Sequence, residues 1–123
     1  MKRVLIVDDN EKLVSSLWSM LSLDYDVALA YSGFEFARIK NIGRCFDHIL
    51  IDYRMPGLNG VEAIKRTTPC SNERITIITA CEDFKVREGV LELRELGYNI
   101  TGVVRKPFYY DSICSEIECL QKK

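Results

Sequence analysis

Four short apolar stretches of this chain end in polar residues that could carry out chemistry. In chain order these residues are Asp8 and Asp9, Asp52, Thr79 and Lys106. Carboxylates that a fold brings together repel one another, so they must be neutralised by protons, a cation or a partner. An oxygen-rich set suits Mg²⁺, which binds through few protein carboxylates and keeps several waters. With a lysine and a hydroxyl added, the set fits phosphoryl transfer, which needs a metal, a cation and an in-line nucleophile.

Asp52 is the candidate nucleophile, because carboxylates play that part in enzymes that form an aspartyl phosphate. It follows the run His48 to Ile51 and precedes a Pro-Gly turn. The run is too short for an amphipathic helix, and this predicts a buried strand that ends at Asp52. Ligands of open α/β sheets bind at that edge. The alternative is that Asp52 merely begins a turn, as Asp often does, but recurrence of the pattern at four stretches favours a site.

The spacing of apolar residues predicts five strands that alternate with five helices. The predicted strands are Arg3–Val7, Asp26–Ala30, a strand ending at Asp52, Ile75–Thr79 and Gly102–Arg105. The predicted helices are Glu11–Leu21, Ser32 to about Ile42, Gly60–Arg66, Glu82–Leu96 and Tyr110–Leu120. This alternation indicates an α/β fold, a doubly wound five-stranded parallel sheet of order 2-1-3-4-5 with helices on both faces. In that order strand two lies at the edge, and the four strands with polar ends are contiguous.

Several local features are also predicted. We expect the helix that carries Trp18 to turn this side chain into the core, and Ser32 and Glu35 to form a capping box. We expect Leu96 to continue the buried stripe of the fourth helix, which Gly97 ends. The segment Tyr98–Thr101 is predicted to be a connection without regular structure.

Composition restricts the class of protein. The 123 residues are 47% hydrophobic and 28% charged with a net charge of −1, which indicates one globular domain over residues 1–123. No basic stripe suggests direct nucleic-acid binding. No apolar run approaches the roughly 20 residues that span a bilayer, and no signal peptide is evident, so we expect a cytoplasmic protein without membrane contact. Five cysteines without a Cys-x-x-Cys pair are expected to be reduced thiols.

Four motifs together carry a resemblance to a known family. They are Val-Asp-Asp-Asn at 7–10, Ile-Asp-Tyr-Arg-Met-Pro-Gly-Leu-Asn-Gly at 51–60, Ile-Thr-Ala at 78–80 and Lys-Pro-Phe at 106–108. This set resembles the receiver domain of bacterial two-component response regulators, and the resemblance covers the whole chain. Any one motif would be weak, but four in order at four strand ends are highly specific.

The resemblance implies a role for each candidate residue. Asp52 would accept a phosphoryl group from a phosphohistidine of a sensor histidine kinase. Mg²⁺ would be held by Asp8, Asp9, Asp52 and the backbone carbonyl of Arg54. Lys106, whose bond to Pro107 is typically cis in the family, would contact the phosphoryl group, and Thr79 would move its hydroxyl towards it. The chain would not be an enzyme beyond this self-catalysed phosphorylation and dephosphorylation, whose rate the family tunes at positions like Arg54 and Cys81.

Two departures from the family pattern concern its usual output surface, which is formed by helix four, strand five and helix five. The aromatic residue that usually stands three positions before the lysine is replaced by Val103. The interval from Thr79 to Lys106 is longer than usual, enough for about one extra helical turn and a longer loop. We therefore expect a modified interface with a homodimer partner, an effector domain or a downstream protein.

Three alternatives remain open. A flavodoxin-like cofactor binder would share the fold, but Asp8-Asp9-Asn10-Glu11 would repel a phosphate group that lacked an intervening metal. An aspartyl phosphatase usually carries a second acid two residues after its nucleophile, where this chain has Arg54. The third alternative is a receiver fold that signals by protein contact without phosphorylation. The only histidine, His48, lies within a predicted strand and is interpreted as structural.

Overall fold

The computed structural model of the chain describes residues 1–70, 72–81 and 83–118. The strands are β1 (Arg3–Val7), β2 (Asp26–Ala30), β3 (His48–Asp52), β4 (Arg74–Thr79) and β5 (Asn99–Arg105). The helices are α1 (Glu11–Leu21), α2 (Gly33–Asn41), α3 (Gly60–Lys65), α4 (Phe84–Glu95) and α5 (Tyr110–Glu118). Leu120, which was predicted to end the last helix, and Glu82, predicted to begin the fourth, lie outside the described residues.

The five strands form one parallel sheet of order β2-β1-β3-β4-β5. The predicted fold class and strand order are therefore confirmed. β3 lies in the middle and is buried along its whole length, whereas β2 lies at the edge and is only partly buried. Parallel strands place their carboxyl ends at the same edge of the sheet, so the ends of β1, β3, β4 and β5 are neighbours.

Each face of the sheet has its own hydrophobic core. On one face α2, α3 and α4 cover residues such as Leu5, Ile49 and Ile77. On the other face α1 and α5 cover Val4, Leu50 and their neighbours. Because successive residues of a strand point to opposite faces, the continuous apolar runs of the sequence fill both cores.

Polar side chains cap the starts of α1, α2, α3 and α4. Asn10 and Asp83 accept hydrogen bonds from the third residue of α1 and α4, as capping residues do. The capping box predicted at Ser32 is only half formed: the Ser32 hydroxyl accepts from the amide of Glu35, but the Glu35 carboxylate accepts from Tyr31. A complete capping box forms instead at the start of α3.

Two predictions of buried side chains are wrong. The Trp18 side chain is 46% exposed, because Val14, Leu17 and Leu21 form the buried stripe of α1. Leu96 is 53% exposed, since α4 ends at the preceding residue and the chain turns away at Gly97. In both cases the apolar pattern was extended by one position too many. For Trp18 the extra position lies around the helix, and for Leu96 it lies beyond the helix end.

The segment Tyr98–Thr101 was predicted to be a loop, and this is wrong for every residue except Tyr98. β5 begins at Asn99, and Ile75 pairs with Ile100 whereas Thr76 pairs with Gly102. Thr101 is therefore an extra residue in a β-bulge, which absorbs added length without breaking the strand. Among the described residues, no helix is long and apolar enough to cross a bilayer.

Helix packing explains the glycine at position 89, although glycine inside α4 lowers helix propensity. A Cβ atom at this position would lie 2.7 Å from Cγ2 of Val61 in α3. The glycine therefore lets the two helices approach closely beside the carboxyl end of the sheet.

Candidate functional site

The candidate site lies at the carboxyl end of the four contiguous strands. Asp52 and Thr79 are the last residues of β3 and β4, and Asp8 and Lys106 immediately follow β1 and β5. Backbone hydrogen bonds hold these ends in register: the amide of Lys106 donates to the carbonyl of Thr79 (2.7 Å), and that of Tyr53 donates to Ile78 (2.8 Å). The sheet itself thus brings together residues that are far apart in sequence.

Three carboxylates converge at this edge. One oxygen from each of Asp8, Asp9 and Asp52 lies within 4.8 Å of the other two. Asp8 and Asp52 are buried, at 3% and 4% exposed, whereas Asp9 faces solvent. The Nζ atom of Lys106 lies 2.8 Å from Oδ2 of Asp8 and 3.2 Å from Oδ1 of Asp52. One ammonium therefore partly offsets three acids.

The electrostatics of the cluster are those of crowded, buried acids. Burial, and then the charge of Asp8, raise the pKa of Asp52 to about 6, although Lys106 opposes the shift. Burial disfavours the ammonium form of Lys106, but its hydrogen bond to Asp8 and the charge of Asp52 outweigh this and raise its pKa. The site thus holds more negative charge than its own lysine neutralises.

The hydroxyl of Thr79 is engaged within its own loop. It donates to the carbonyl of Cys81 (3.0 Å) and accepts from the amide of the same residue (3.2 Å). Thr79 is 1% exposed, so its side chain lies inside the protein, whereas Ala80 and Cys81 after it are exposed. The Lys106-Pro107 peptide bond is cis, as the resemblance implied.

The segment that follows β3 packs against the backbone of Asp52. The amide of Gly60 donates to the carbonyl of Tyr53 (2.7 Å), and a Cβ atom at Gly60 would lie 2.6 Å from the carbonyl oxygen of Asp52. Only glycine permits this approach of α3 to the end of β3. Arg54 is exposed, and its guanidinium lies 3.8 Å from Oδ2 of Asp83 at the start of α4.

The donor set fits a hard divalent cation. Carboxylate oxygens at this spacing, with surplus negative charge and one solvent-facing member, match the way proteins bind Mg²⁺ with part of its water shell retained. The described residues offer no cysteine or histidine in the cluster, so a softer metal is not favoured.

The structure brings together four of the sequence-predicted side chains, Asp8, Asp9, Asp52 and Lys106, and places Thr79 at the end of the adjacent strand. Sequence analysis missed Asp83, both as the cap of α4 and as the ion-pair partner of Arg54. An acid three residues before Val86 was a signal that could have found the cap.

The fold and these residues define a class of protein. The family model of the response regulator receiver domain matches residues 4–118, so the chain belongs to this family. Phosphorylation-dependent signalling in two-component systems is the function that membership implies.

Among curated relatives, the transcriptional regulatory protein CpxR homolog of Haemophilus influenzae is 33% identical over 81 residues, covering 65% of this chain and 35% of the relative. The response regulator ArlR of Staphylococcus haemolyticus is 27% identical over 124 residues, covering 100% of this chain and 54% of the relative. The chain thus spans between about a third and about half of these relatives.

A solved structure has the same fold. The CheY-like response regulator receiver domain of Methanospirillum hungatei JF-1 superposes with a TM-score of 0.84 at 22% identity, covering 99% of this chain and 94% of that one.

Proposed function

We propose that Asp52 accepts a phosphoryl group from the phosphohistidine of a sensor histidine kinase. A carboxylate oxygen of Asp52 attacks the phosphorus in line, a P–O bond forms, and the P–N bond to the imidazole breaks. The observation that carries the proposal is the convergence of Asp8, Asp9 and Asp52 with Lys106 Nζ, 3.2 Å from Oδ1 of Asp52. Water later attacks the acyl phosphate, which restores the carboxylate and ends the signal.

Asp8, Asp9, Asp52 and the backbone carbonyl of Arg54 would hold Mg²⁺. When bound, the ion would offset negative charge on the transferring phosphoryl group. The chain's own residues do the rest: Asp8 positions Lys106 through their 2.8 Å contact, and Lys106 neutralises charge on the transferred group. After transfer, Thr79 exchanges its Cys81 contacts for a phosphoryl oxygen, which shifts the loop between β4 and α4.

Incubation with acetyl phosphate, with and without Mg²⁺, tests the proposal when read by intact mass. One phosphoryl group should be added in the presence of Mg²⁺, and it should be absent from the Asp52→Asn variant. Asp26→Asn is the matched control, because it removes an exposed carboxylate from β2, away from the site. A wild-type chain that stays unmodified with Mg²⁺ while it binds the ion would overturn the proposal and favour signalling by protein contact alone.

The output surface of α4, β5 and α5 would serve as an interface with a second copy of the chain. Leu91 of α4 is 59% exposed and lies between a basic edge and an acidic edge of the helix. The basic edge carries Arg87 and Arg94, and the acidic edge carries Glu88, Glu92 and Glu95. Such an arrangement can pair with itself across a twofold axis.

Sedimentation with and without beryllofluoride and Mg²⁺ tests this interface. We expect a dimer with the phosphoryl mimic and a monomer without it, and the Leu91→Asp variant should remain monomeric. An equal mass in both states would remove the support for dimerisation.

Residues 1–123 would act as one receiver module of a cytoplasmic signalling protein. The partial coverage of the curated relatives supports control of an effector domain or a separate downstream protein. The length of the native gene product distinguishes these two outputs.

A further inference from the structure

A large open cavity separates the loop after β3 from the first turn of α4. Its volume is about 790 Å³, and its lining includes Tyr53 and Arg54 on one side and Asp83, Phe84 and Lys85 on the other. The Arg54 guanidinium and the Asp83 carboxylate meet across it at 3.8 Å. The ion pair therefore connects the segment that carries Asp52 to the helix of the output surface.

The two carboxylate oxygens of Asp83 make different contacts. Its Oδ1 atom accepts a hydrogen bond of 3.1 Å from the amide of Val86 and so caps α4, while its Oδ2 atom faces Arg54. The Arg54 side chain is 70% exposed, so it can change partner with little loss of packing. Asp83 is thus fixed to the helix, and Arg54 is the movable half of the pair.

Phosphorylation changes the charge balance beside Arg54. Lys106 is already shared between Asp8 and Asp52, and a third carboxylate, that of Asp9, lies close to both acids. A phosphoryl group would replace the single charge of Asp52 with about −2 and three acceptor oxygens. A guanidinium can form two parallel hydrogen bonds to phosphate oxygens. Arg54 lies two residues after Asp52 in the sequence, so it is the suited donor.

We propose that Arg54 exchanges Asp83 for the phosphoryl group when Asp52 is phosphorylated. The exchange breaks the link across the cavity and releases the start of α4 from the loop after β3. This gives α4 a route for sensing phosphorylation that does not need the aromatic residue replaced by Val103. The inference rests on the proposed phosphorylation of Asp52 and concerns how that site is coupled to α4.

A double-mutant cycle on the full chain tests the exchange, with the affinity for beryllofluoride at fixed Mg²⁺ measured by fluorine NMR. Asp83→Asn keeps a capping oxygen but removes the competing charge, so it should tighten beryllofluoride binding by about two- to fivefold, the range for exposed ion pairs. Arg54→Gln should weaken binding by about three- to tenfold, because it removes the new partner. In the Arg54→Gln background, Asp83→Asn should have no further effect.

Lys85→Gln is the matched control, since it removes one positive charge from the lining of the same cavity. It should weaken binding less than Arg54→Gln does. The guanidinium NMR signals of Arg54 should also shift when beryllofluoride binds, a change that a merely structural surface residue would not show.

An equal effect of Asp83→Asn with and without Arg54 would overturn the exchange, because it would show only a long-range influence of charge. An unchanged Arg54 signal on beryllofluoride binding would also overturn it. If the wild-type chain binds no beryllofluoride and accepts no phosphoryl group, the proposed function itself fails. If it binds and the cycle is additive, only the Arg54 exchange fails.

Discussion

The two ends of the sheet bury charge in opposite ways. At the amino end, the Glu73 carboxylate accepts from Lys40 and from the amide of Phe46, and Lys40 also donates to the carbonyl of Arg44. At the carboxyl end, Asp8 and Asp52 share Lys106, and the Asp9 carboxylate lies close to both acids. The first cluster is balanced and the second is not. The difference indicates that the fold can satisfy a buried carboxylate, and that the surplus charge at the carboxyl end suits a ligand that brings positive charge.

Removal of a carboxylate should therefore have opposite effects on stability at the two ends. The largest effect is expected for Glu73→Gln at the amino end, because it leaves the buried Lys40 ammonium without its counter-ion. We expect the free energy of unfolding to fall by about 3 kcal/mol, measured by urea denaturation. Glu92→Gln is the control, since it breaks an exposed pair with Lys65 and should cost about 0.5 kcal/mol or less. Equal losses in the two variants would show that burial of the pair is unimportant.

The buried His48 should make the amino end sensitive to acid. Burial, and then the charges of Arg74 and Lys2, lower its pKa to about 4. An unfolded histidine titrates near 6.5, so the folded state binds fewer protons and loses stability as pH falls from about 6.5 to 4. His48→Gln should reduce the loss between about pH 7 and 5 by about 2 kcal/mol. Denaturation at both pH values measures this, and an unchanged slope would contradict it.

Asp52 should behave in the opposite direction. Its pKa is raised to about 6, so the folded state binds more protons than the unfolded state between about pH 4 and 6, and stability is lost as pH rises through this window. Without Mg²⁺, Asp52→Asn should raise the free energy of unfolding by about 1 to 2 kcal/mol at about pH 8, and by little at about pH 4. Added Mg²⁺ should stabilise the wild-type chain and narrow the difference. Destabilisation by Asp52→Asn at the higher pH would show that the cluster is already balanced.

Sequence analysis predicted the carboxyl end better than the amino end, for a physical reason. Polar residues that directly follow buried strands must lie at one edge of a parallel sheet, so Asp8, Asp52 and Lys106 could be grouped once strand order was assigned. The partners at the amino end leave no such pattern: Lys40 and Glu73 come from a helix and a loop, 33 residues apart.

The β-bulge at Thr101 shows a second limit of prediction from the sequence. It depends on how β5 pairs with β4 and not on the composition of Tyr98–Thr101, which is why that segment looked like a loop. The exposure of Trp18 depends in the same way on which neighbours cover α1, because its position on the helix places it beside the buried stripe.

Two threonines of β4, Thr76 and Thr79, allow the structural and the functional parts of the sheet to be compared within one strand. The hydroxyl of Thr76 lies 2.7 Å from Nε2 of His48 and 2.9 Å from the hydroxyl of Thr101, and it also donates to Glu116 (3.2 Å). The Thr79 hydroxyl bonds only to backbone atoms of Cys81, among the described hydrogen bonds. Valine has the shape of threonine but neither donates nor accepts.

We expect Thr76→Val to cost about 1 to 2 kcal/mol of unfolding free energy, because it leaves buried polar partners unsatisfied. Thr79→Val should cost only about 0.5 kcal/mol, since water can replace the hydroxyl at the exposed Cys81. The functional effects should be reversed: Thr76→Val should keep the dimerisation proposed with beryllofluoride, whereas Thr79→Val should still bind the mimic but weaken that response. Urea denaturation and sedimentation measure the two quantities. A Thr79→Val chain that dimerises normally would assign the coupling to the Arg54–Asp83 pair and not to the hydroxyl.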